Sequence, residues 1–173
     1  NIFKRGITRT IPTIIVDSSG KSVKLDYKIL AIERDGRTSK YHTEKSSSNI
    51  TIYVGESDVF LNEGEYNYTI TYSMSGQIRF FENYDEIYWN VNGFDWALPF
   101  GEVSSQITLP IGGNIIQSAC YTGRYGSSST NCSSTTLSDN IISFSADNLR
   151  AGENLTIAVG FDKGIVNQPP PPP

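Results

Sequence analysis

The sequence predicts an all-β fold, an antiparallel β-sandwich of immunoglobulin-like or related type with one lobe or two. Three observations predict this class. The composition favours strands, with ten Tyr, eight Phe and a single Met in 173 residues. Several segments alternate apolar and polar residues with a period of two, and none carries an apolar stripe at helical spacing over three turns. Gly, Ser and Asn separate these segments, as is typical of turns between short strands.

Two segments alternate most clearly, Val23–Ile29 and Tyr66–Met74. In each, apolar or aromatic residues occupy every second position, so a strand would place them on one face and the polar residues on the other. The polar stretch Arg34–Asn49 has almost no apolar residues and is expected to be a hairpin tip or a mobile loop. Runs of β-branched and aromatic residues predict further strands at Ile50–Val54, Ile78–Phe81, Glu86–Val91, Val103–Leu109, Ile115–Tyr121, Ile141–Ala146 and Leu155–Phe161.

Turn signals connect the predicted strands. Ser75-Gly76 predicts a tight hairpin, and Asn92-Gly93 predicts a turn that needs a positive φ. Two segments, LNEGEY from Leu61 and LRAGEN from Leu149, share a Leu followed three residues later by Gly-Glu. In sandwich domains such a segment commonly crosses between sheets with a nearby Tyr, here Tyr66, fastening the corner. The similarity indicates either a duplicated module or one type of turn used twice.

Net charge and hydropathy argue against nucleic-acid binding and against a membrane-spanning helix in this sequence. The formal net charge is −4 and the pI is about 5.0, so a surface that neutralises phosphates is not indicated and nucleic acid is not an expected partner. Apolar runs are only a few residues long, whereas a spanning helix needs about twenty.

Residues 1–165 are expected to form the sandwich domain, with any boundary between lobes near 99–102. Residues 166–173 are expected to be a proline-rich linker toward a membrane segment outside this sequence.

The cysteines and the histidine limit the chemistry that the chain can support. Cys120 and Cys132 are separated by a turn-rich segment that could close a disulfide, which predicts an oxidising compartment, and the alternative is two free thiols. A structural zinc site needs about four ligands, and His42 is the only histidine, so no metal or other cofactor is expected. A catalytic triad would have to use His42, which lies in the polar stretch. The chain is therefore not expected to be an enzyme.

The segment 82–102 combines both tryptophans with several carboxylates, and acidic groups beside exposed aromatic rings are typical of sugar sites. The alternative is that the segment is architecture. Alternation over the predicted strand Glu86–Val91 places Trp89 among apolar neighbours in the core. Trp96 follows in a turn-rich segment and would either cap the end of the sandwich or bind a ligand. The candidate ligand-binding residues are Trp96, Asp85, Asp95 and Glu86.

Several segments resemble a known family. RTIP, GEYNYTITYSMSGQIRFFENYDEIYWNVNGFDWALPFGEVSSQITLP, ACYTGRYGS and LTIAVGFDKGIV resemble the extracytoplasmic domain of DUF2207 proteins, predicted bacterial membrane proteins of unknown function. The resemblance implies a β-rich domain that is exported by a signal peptide and anchored by membrane segments after FDKGIVNQPPPPP. It implies no catalytic residues. Family members usually carry a further β-rich stretch before the motif Arg9–Pro12, so one sheet edge is expected to lack a partner strand.

The function expected from the residues and the resemblance is a non-catalytic interaction or sensing module at the extracytoplasmic face of the bacterial membrane. Its partner would be a protein or a cell-envelope component. The alternatives are a carbohydrate-binding or glycoside-hydrolysing domain that uses the cluster at 82–102, and a structural spacer. A hollow lined by Trp96, Asp85 and Asp95 would favour binding, and two carboxyl groups about 5 to 9 Å apart across a cleft would favour hydrolysis.

Overall fold

Every regular element in the described part of the chain, residues 5–16 and 20–168 of the computed structural model, is a β-strand. All strand pairs there are antiparallel, which confirms the predicted fold class. The prolines at 169–173 of the expected linker lie outside the described residues. The strands are β1 (Gly6–Pro12), β2 (Ile14–Val16), β3 (Ser22–Lys24), β4 (Asp26–Arg34), β5 (Arg37–Thr38), β6 (Tyr41–Lys45), β7 (Asn49–Gly55), β8 (Tyr68–Ser75), β9 (Ile78–Phe80), β10 (Asp85–Asn90), β11 (Phe100–Thr108), β12 (Ile115–Gly123), β13 (Ser133–Ser138), β14 (Ile141–Leu149) and β15 (Asn154–Phe161).

The chain divides into two compact units, Asn1–Gln77 and Ile78–Pro173. Residues 99–102, where a boundary between lobes was expected, lie inside the second unit, where β11 begins. Gly76 has the positive φ of a turn, 84°, as its sequence predicts. The hairpin expected there is nevertheless wrong, because β8 and β9 belong to different sheets of the described structure. The turn instead separates the two units.

The first unit contains two three-stranded sheets, β1-β7-β6 and β5-β4-β8, and a short β2-β3 ribbon. Alternate residues of β7 are buried, and β8 alternates between half-buried and exposed positions as predicted. Both sheets turn their apolar faces inward because a strand presents every second side chain to the same side. Among residues 5–16 and 20–77, the buried apolar residues are Ile11, Leu25, Ile32, Ile50, Ile52 and Val54.

Two expectations for the first unit need correction. The stretch Arg34–Asn49 does contain a hairpin tip, at Asp35-Gly36 where β5 pairs back on β4, as one of the two alternatives predicted. The other alternative, a mobile loop, is wrong, because β6 within this stretch pairs with β7. All five residues of β6 are exposed, so this edge strand depends on its backbone hydrogen bonds and shows no apolar alternation. The predicted strand Val23–Ile29 is interrupted at Leu25, which is buried between β3 and β4.

The second unit packs the four-stranded sheet β12-β15-β10-β9 against the three-stranded sheet β11-β14-β13. The central strand β15 has only one residue that is not fully buried, because it has a neighbouring strand on each side and the other sheet beneath it. This arrangement is a β-sandwich. The core residues come from both sheets: Val103, Ile142, Phe144, Ala146, Leu149, Leu155, Ile157 and Val159.

The two units share one strand order. In the first, β7 lies between β1 and β6, and β8 pairs with β4; in the second, β14 lies between β11 and β13, and β15 pairs with β12. The five strands follow the same order along the chain in each unit. The segment beginning at Leu61 crosses from the sheet of β7 to the sheet of β8, and the segment beginning at Leu149 crosses from the sheet of β14 to the sheet of β15. The Tyr66 hydroxyl donates to the Asn62 carbonyl at 2.8 Å, as a corner tyrosine does. The shared order favours the duplicated module.

Candidate functional site

The predicted cluster at 82–102 is divided between the two ends of β10. Asp85 begins β10 opposite Phe161, and Asn90 ends it opposite Thr156. Five residue steps of a strand extend about 17 Å. Trp96 follows Asn90 at the far end, so it does not line one hollow with Asp85.

The buried carboxylate of Asp85 forms an ion pair with Lys163. Its side chain is 1% exposed, and Lys163 Nζ lies 2.7 Å from its Oδ1. The same ammonium donates a hydrogen bond to the Phe81 carbonyl at 2.8 Å. Removing one partner of a buried ion pair is strongly destabilising, because the other charge is left without compensation. The pair therefore ties the segment that follows β15 to the turn between β9 and β10.

Glu86 is also paired. Arg79 on β9 lies opposite Glu86, and its guanidinium approaches the carboxylate to 3.4 Å. The same guanidinium lies 4.1 Å from the centre of the Tyr88 ring. Cation–π contact and ion pairing together hold Arg79 across β10. Asp95, by contrast, is exposed.

Trp96 caps the end of the second unit. Its Nε1 donates to the Asn92 carbonyl at 2.7 Å, and its ring meets Phe100 edge to face with centroids 5.4 Å apart. Its own carbonyl accepts from the Gly152 amide at 2.9 Å. Trp96 is half-buried. Trp89 packs against the apolar core as predicted.

A buried asparagine lies at the centre of this end of the unit. Asn154 is 1% exposed, and its Oδ1 accepts from the Gly93 amide at 2.7 Å. Its Nδ2 donates to Asn90 Oδ1 at 3.2 Å and to Thr156 Oγ1 at 2.9 Å. The Thr156 hydroxyl donates to Asn90 Oδ1 at 2.8 Å. The Asn154 side chain therefore uses both of its donors and its acceptor inside the protein.

Asn92 completes the connection. Its Oδ1 accepts from the Leu155 amide and its Nδ2 donates to the Glu153 carbonyl, each at 2.9 Å. Gly93 has a φ of 79°, as the sequence predicts. We call Asn90, Asn92, Gly93, Asn154 and Thr156 the asparagine network. It fastens the turn after β10 to the start of β15, a role for these asparagines that sequence reasoning missed.

The disulfide prediction is confirmed. Cys120 on β12 and Cys132 before β13 are bonded, with Cα atoms 6.3 Å apart, and both pack against the apolar core.

His42, on the exposed strand β6, stacks on Tyr53 of β7, with the two ring centroids 4.6 Å apart. Within residues 5–16 and 20–168, no three His, Cys, Asp or Glu side chains are grouped so that they could hold a metal ion.

A polar surface that sequence reasoning did not single out covers the outer side of β11, β14 and β13. The register sets Ser104 opposite Ser145 and Ser145 opposite Ser133, and it aligns the next outward residues in the same way. The Oγ atoms of Ser133 and Ser145 lie 2.9 Å apart. A shallow concavity of about 350 Å³ opens on this surface. We call it the hydroxyl face, and its side chains are Ser104, Gln106, Ser133, Thr135, Ser143 and Ser145.

The alternation in the sequence contains a signal for the hydroxyl face. In β14, Ser143 and Ser145 alternate with buried Ile142, Phe144 and Ala146. Such a pattern places the serines outward. Only the pairing of β14 with its two neighbours brings six uncharged polar side chains together, and pairing between distant segments is not read from one strand.

Two tandem antiparallel units, the second of which contains a disulfide, define a β-rich domain. The chain belongs to the DUF2207 family: the family model described as "Predicted membrane protein (DUF2207) N-terminal domain" matches residues 1–161. This confirms the resemblance. In residues 5–16 and 20–168 there is no helix long and apolar enough to cross a membrane.

One curated relative adds a further similarity. The "Uncharacterized protein YciQ" of Escherichia coli (strain K12) is 29% identical over 107 residues, which cover 62% of this chain and 17% of the relative. The match therefore spans less than a fifth of that relative's length. No solved structure matches the chain significantly.

Proposed function

We propose that this chain is a non-catalytic binding module held at the extracytoplasmic face of the bacterial cell membrane. Membership in a family of predicted membrane proteins supports the attachment. The bond between Cys120 and Cys132 supports the compartment, because disulfides persist where the environment is oxidising. Asp85 starts β10 whereas Asp95 follows its far end, and the carboxylates of Asp85 and Glu86 are each paired with a cation of the chain. Both observations support a binding role over hydrolysis.

The hydroxyl face is the observation that carries the binding role. Six uncharged side chains from three strands line one concavity, and each Ser or Thr hydroxyl can donate one hydrogen bond and accept two. A single hydrogen bond to an exposed hydroxyl contributes little, because it replaces one to water. Several formed together on a rigid sheet favour a ligand that also carries closely spaced hydroxyl groups. The ligand class is therefore a neutral glycan of the cell envelope.

The test is co-sedimentation of the chain with purified, insoluble cell-wall glycan. Ser104→Arg and Ser143→Arg place a long charged side chain in the concavity and should abolish binding. Ser118→Arg is the matched control, because Ser118 is an exposed strand serine on β12, outside the hydroxyl face. Circular dichroism should give the same spectrum for all three variants.

The outcomes separate the candidate roles. Loss of binding in the two concavity variants alone would support the hydroxyl face. Retention in all three variants would place the binding elsewhere. The parent chain could instead bind no glycan but capture an envelope protein that the Ser104→Arg variant does not bind. The hydroxyl face would then still be the binding surface, but its ligand would be a protein and the proposed glycan ligand would be wrong.

A further inference from the structure

The loop between β11 and β12 presents one apolar side chain wholly to solvent. Ile111 is 100% exposed, and it lies between Pro110 and Gly112 in a loop without charged residues. Single exposed apolar side chains are common on protein surfaces and carry no meaning alone. The position of Ile111 in the fold is what distinguishes it.

The loop is held in place by backbone and side-chain hydrogen bonds. The Gly113 amide donates to the Pro110 carbonyl at 3.0 Å, which closes a turn around Ile111. The Leu109 amide donates to the Asn140 carbonyl at 2.9 Å, and Asn140 Nδ2 donates back to the Leu109 carbonyl at 3.1 Å. These bonds fasten the loop to the turn between β13 and β14, so the tip is directed outward by a fixed frame.

The chain continues beyond β15 at the same end of the second unit. The Asp162 amide donates to the Asn114 carbonyl at 3.2 Å, and Asn114 Nδ2 donates to Asp162 Oδ2 at 2.7 Å. A side chain on Gly113 would meet Ile165 at 3.3 Å. The family model of the N-terminal domain ends at residue 161, the last residue of β15. We call the loop Leu109–Asn114 and the segment after β15 the exit end.

Charge at the exit end does not favour anionic headgroups. Asp162 belongs to it and Asp139, whose carbonyl accepts from the Ile115 amide, lies beside it, whereas the cation Lys163 is bound to buried Asp85. A contact with lipid here would therefore depend on apolar insertion. The opposite end of the unit carries Tyr125 on the loop between β12 and β13, 89% exposed, and provides an internal comparison.

We propose that the exit end rests on the lipid bilayer and that Ile111 inserts into its interface. This inference rests on the membrane attachment in the proposed function and is independent of the hydroxyl face. A tether that starts at the exit end keeps this end near the surface, and a high local concentration makes even weak insertion persistent. Insertion would set the orientation of the second unit on the membrane.

The test tethers the chain by a C-terminal histidine tag to phosphatidylcholine vesicles that contain nickel-chelating lipid. Ile111→Cys and Tyr125→Cys variants carry an environment-sensitive NBD fluorophore, and the native cysteines are protected because they are bonded to each other. On tethering, NBD emission at position 111 should shift to shorter wavelength and be quenched by brominated acyl chains. Emission at position 125 should do neither.

A second measurement removes the side chain without a label. Ile111→Asp should leave the vesicles faster than the parent chain when imidazole is added, whereas Ile111→Leu and Tyr125→Asp should match the parent. Absence of quenching at 111, equal quenching at both positions, or an emission shift that depends on protein concentration without vesicles would each overturn the inference. Failure to bind glycan leaves these vesicle measurements unaffected, so the two proposals fail separately.

Discussion

Replacing Asn154 with Ala should destabilise the second unit by about 3 kcal/mol, although the substitution removes only a small polar group. Asn154 is buried at the centre of the asparagine network, where it contacts Gly93, Asn90 and Thr156. If this network is architecture, the loss should appear as stability. If it is a ligand site, the loss should appear mainly in binding.

The magnitude follows from the contacts. Alanine leaves the Gly93 amide without its acceptor at 2.7 Å, and an unsatisfied donor costs about 1 to 3 kcal/mol when it is buried. The two bonds donated by Asn154 Nδ2 are also lost, each worth about 1 kcal/mol. Thr156 and Asn90 keep the 2.8 Å bond between them, so neither becomes fully unpaired. Because the Gly93 amide is only half-buried, the lower end of its penalty, about 1 kcal/mol, applies, and with the two lost bonds the sum is about 3 kcal/mol.

The assay is urea denaturation followed by tryptophan fluorescence. Both tryptophans of the sequence, Trp89 and Trp96, lie in the second unit, so the signal reports on that unit alone. Asn131→Ala, at an exposed position, is the control. A midpoint for Asn154→Ala equal to that of the control, with unchanged m-values, would refute the structural role and make the network a candidate binding site.

Three further predictions concern the core, the disulfide and pH. Trp89→Ala should cost about 3 to 5 kcal/mol by emptying a core position, and Trp96→Ala clearly less; equal midpoints by circular dichroism would contradict this. Alkylation without reductant should leave Cys120 and Cys132 unlabelled in intact-mass spectra, and two labels would contradict the bond. Burial raises the pKa of Tyr72, so its contribution to stability is present below the usual tyrosine pKa of 10.0 and is lost as pH rises through the folded value. Tyr72→Phe should flatten the alkaline decline of the melting temperature, and an unchanged decline would exclude this role.

Strands whose faces differ in polarity could be predicted from the sequence. The alternation of β8 appears in the structure because burial there follows the period of the strand itself. The edge strand β6 could not be predicted in this way, since all of its residues are exposed and its partner β7 supplies the backbone hydrogen bonds.

The candidate site shows the same division. Trp89 was predicted to be core from the alternation of its own strand, and it packs against the core. The grouping of Asp85 with Trp96 rested on proximity in sequence, but β10 is extended and places them at opposite ends. A helix with the same number of residues would be less than half as long as the strand. Residues that are close in sequence are therefore farther apart in space along a strand than along a helix.

The sequence by itself determined the all-β class and which residues of the clearest strands share a face, because these depend on a period of two. For Cys120 and Cys132 it left two alternatives, a bond or two free thiols, and the structure shows the bond. Only the tertiary structure decided which strands share a sheet, where the units divide and which polar groups meet. Asn92 reaches Leu155, and Ser104 reaches Ser145, through pairing of segments far apart in the chain. Such pairing is selected by the combined burial of two sheets, which no single segment encodes.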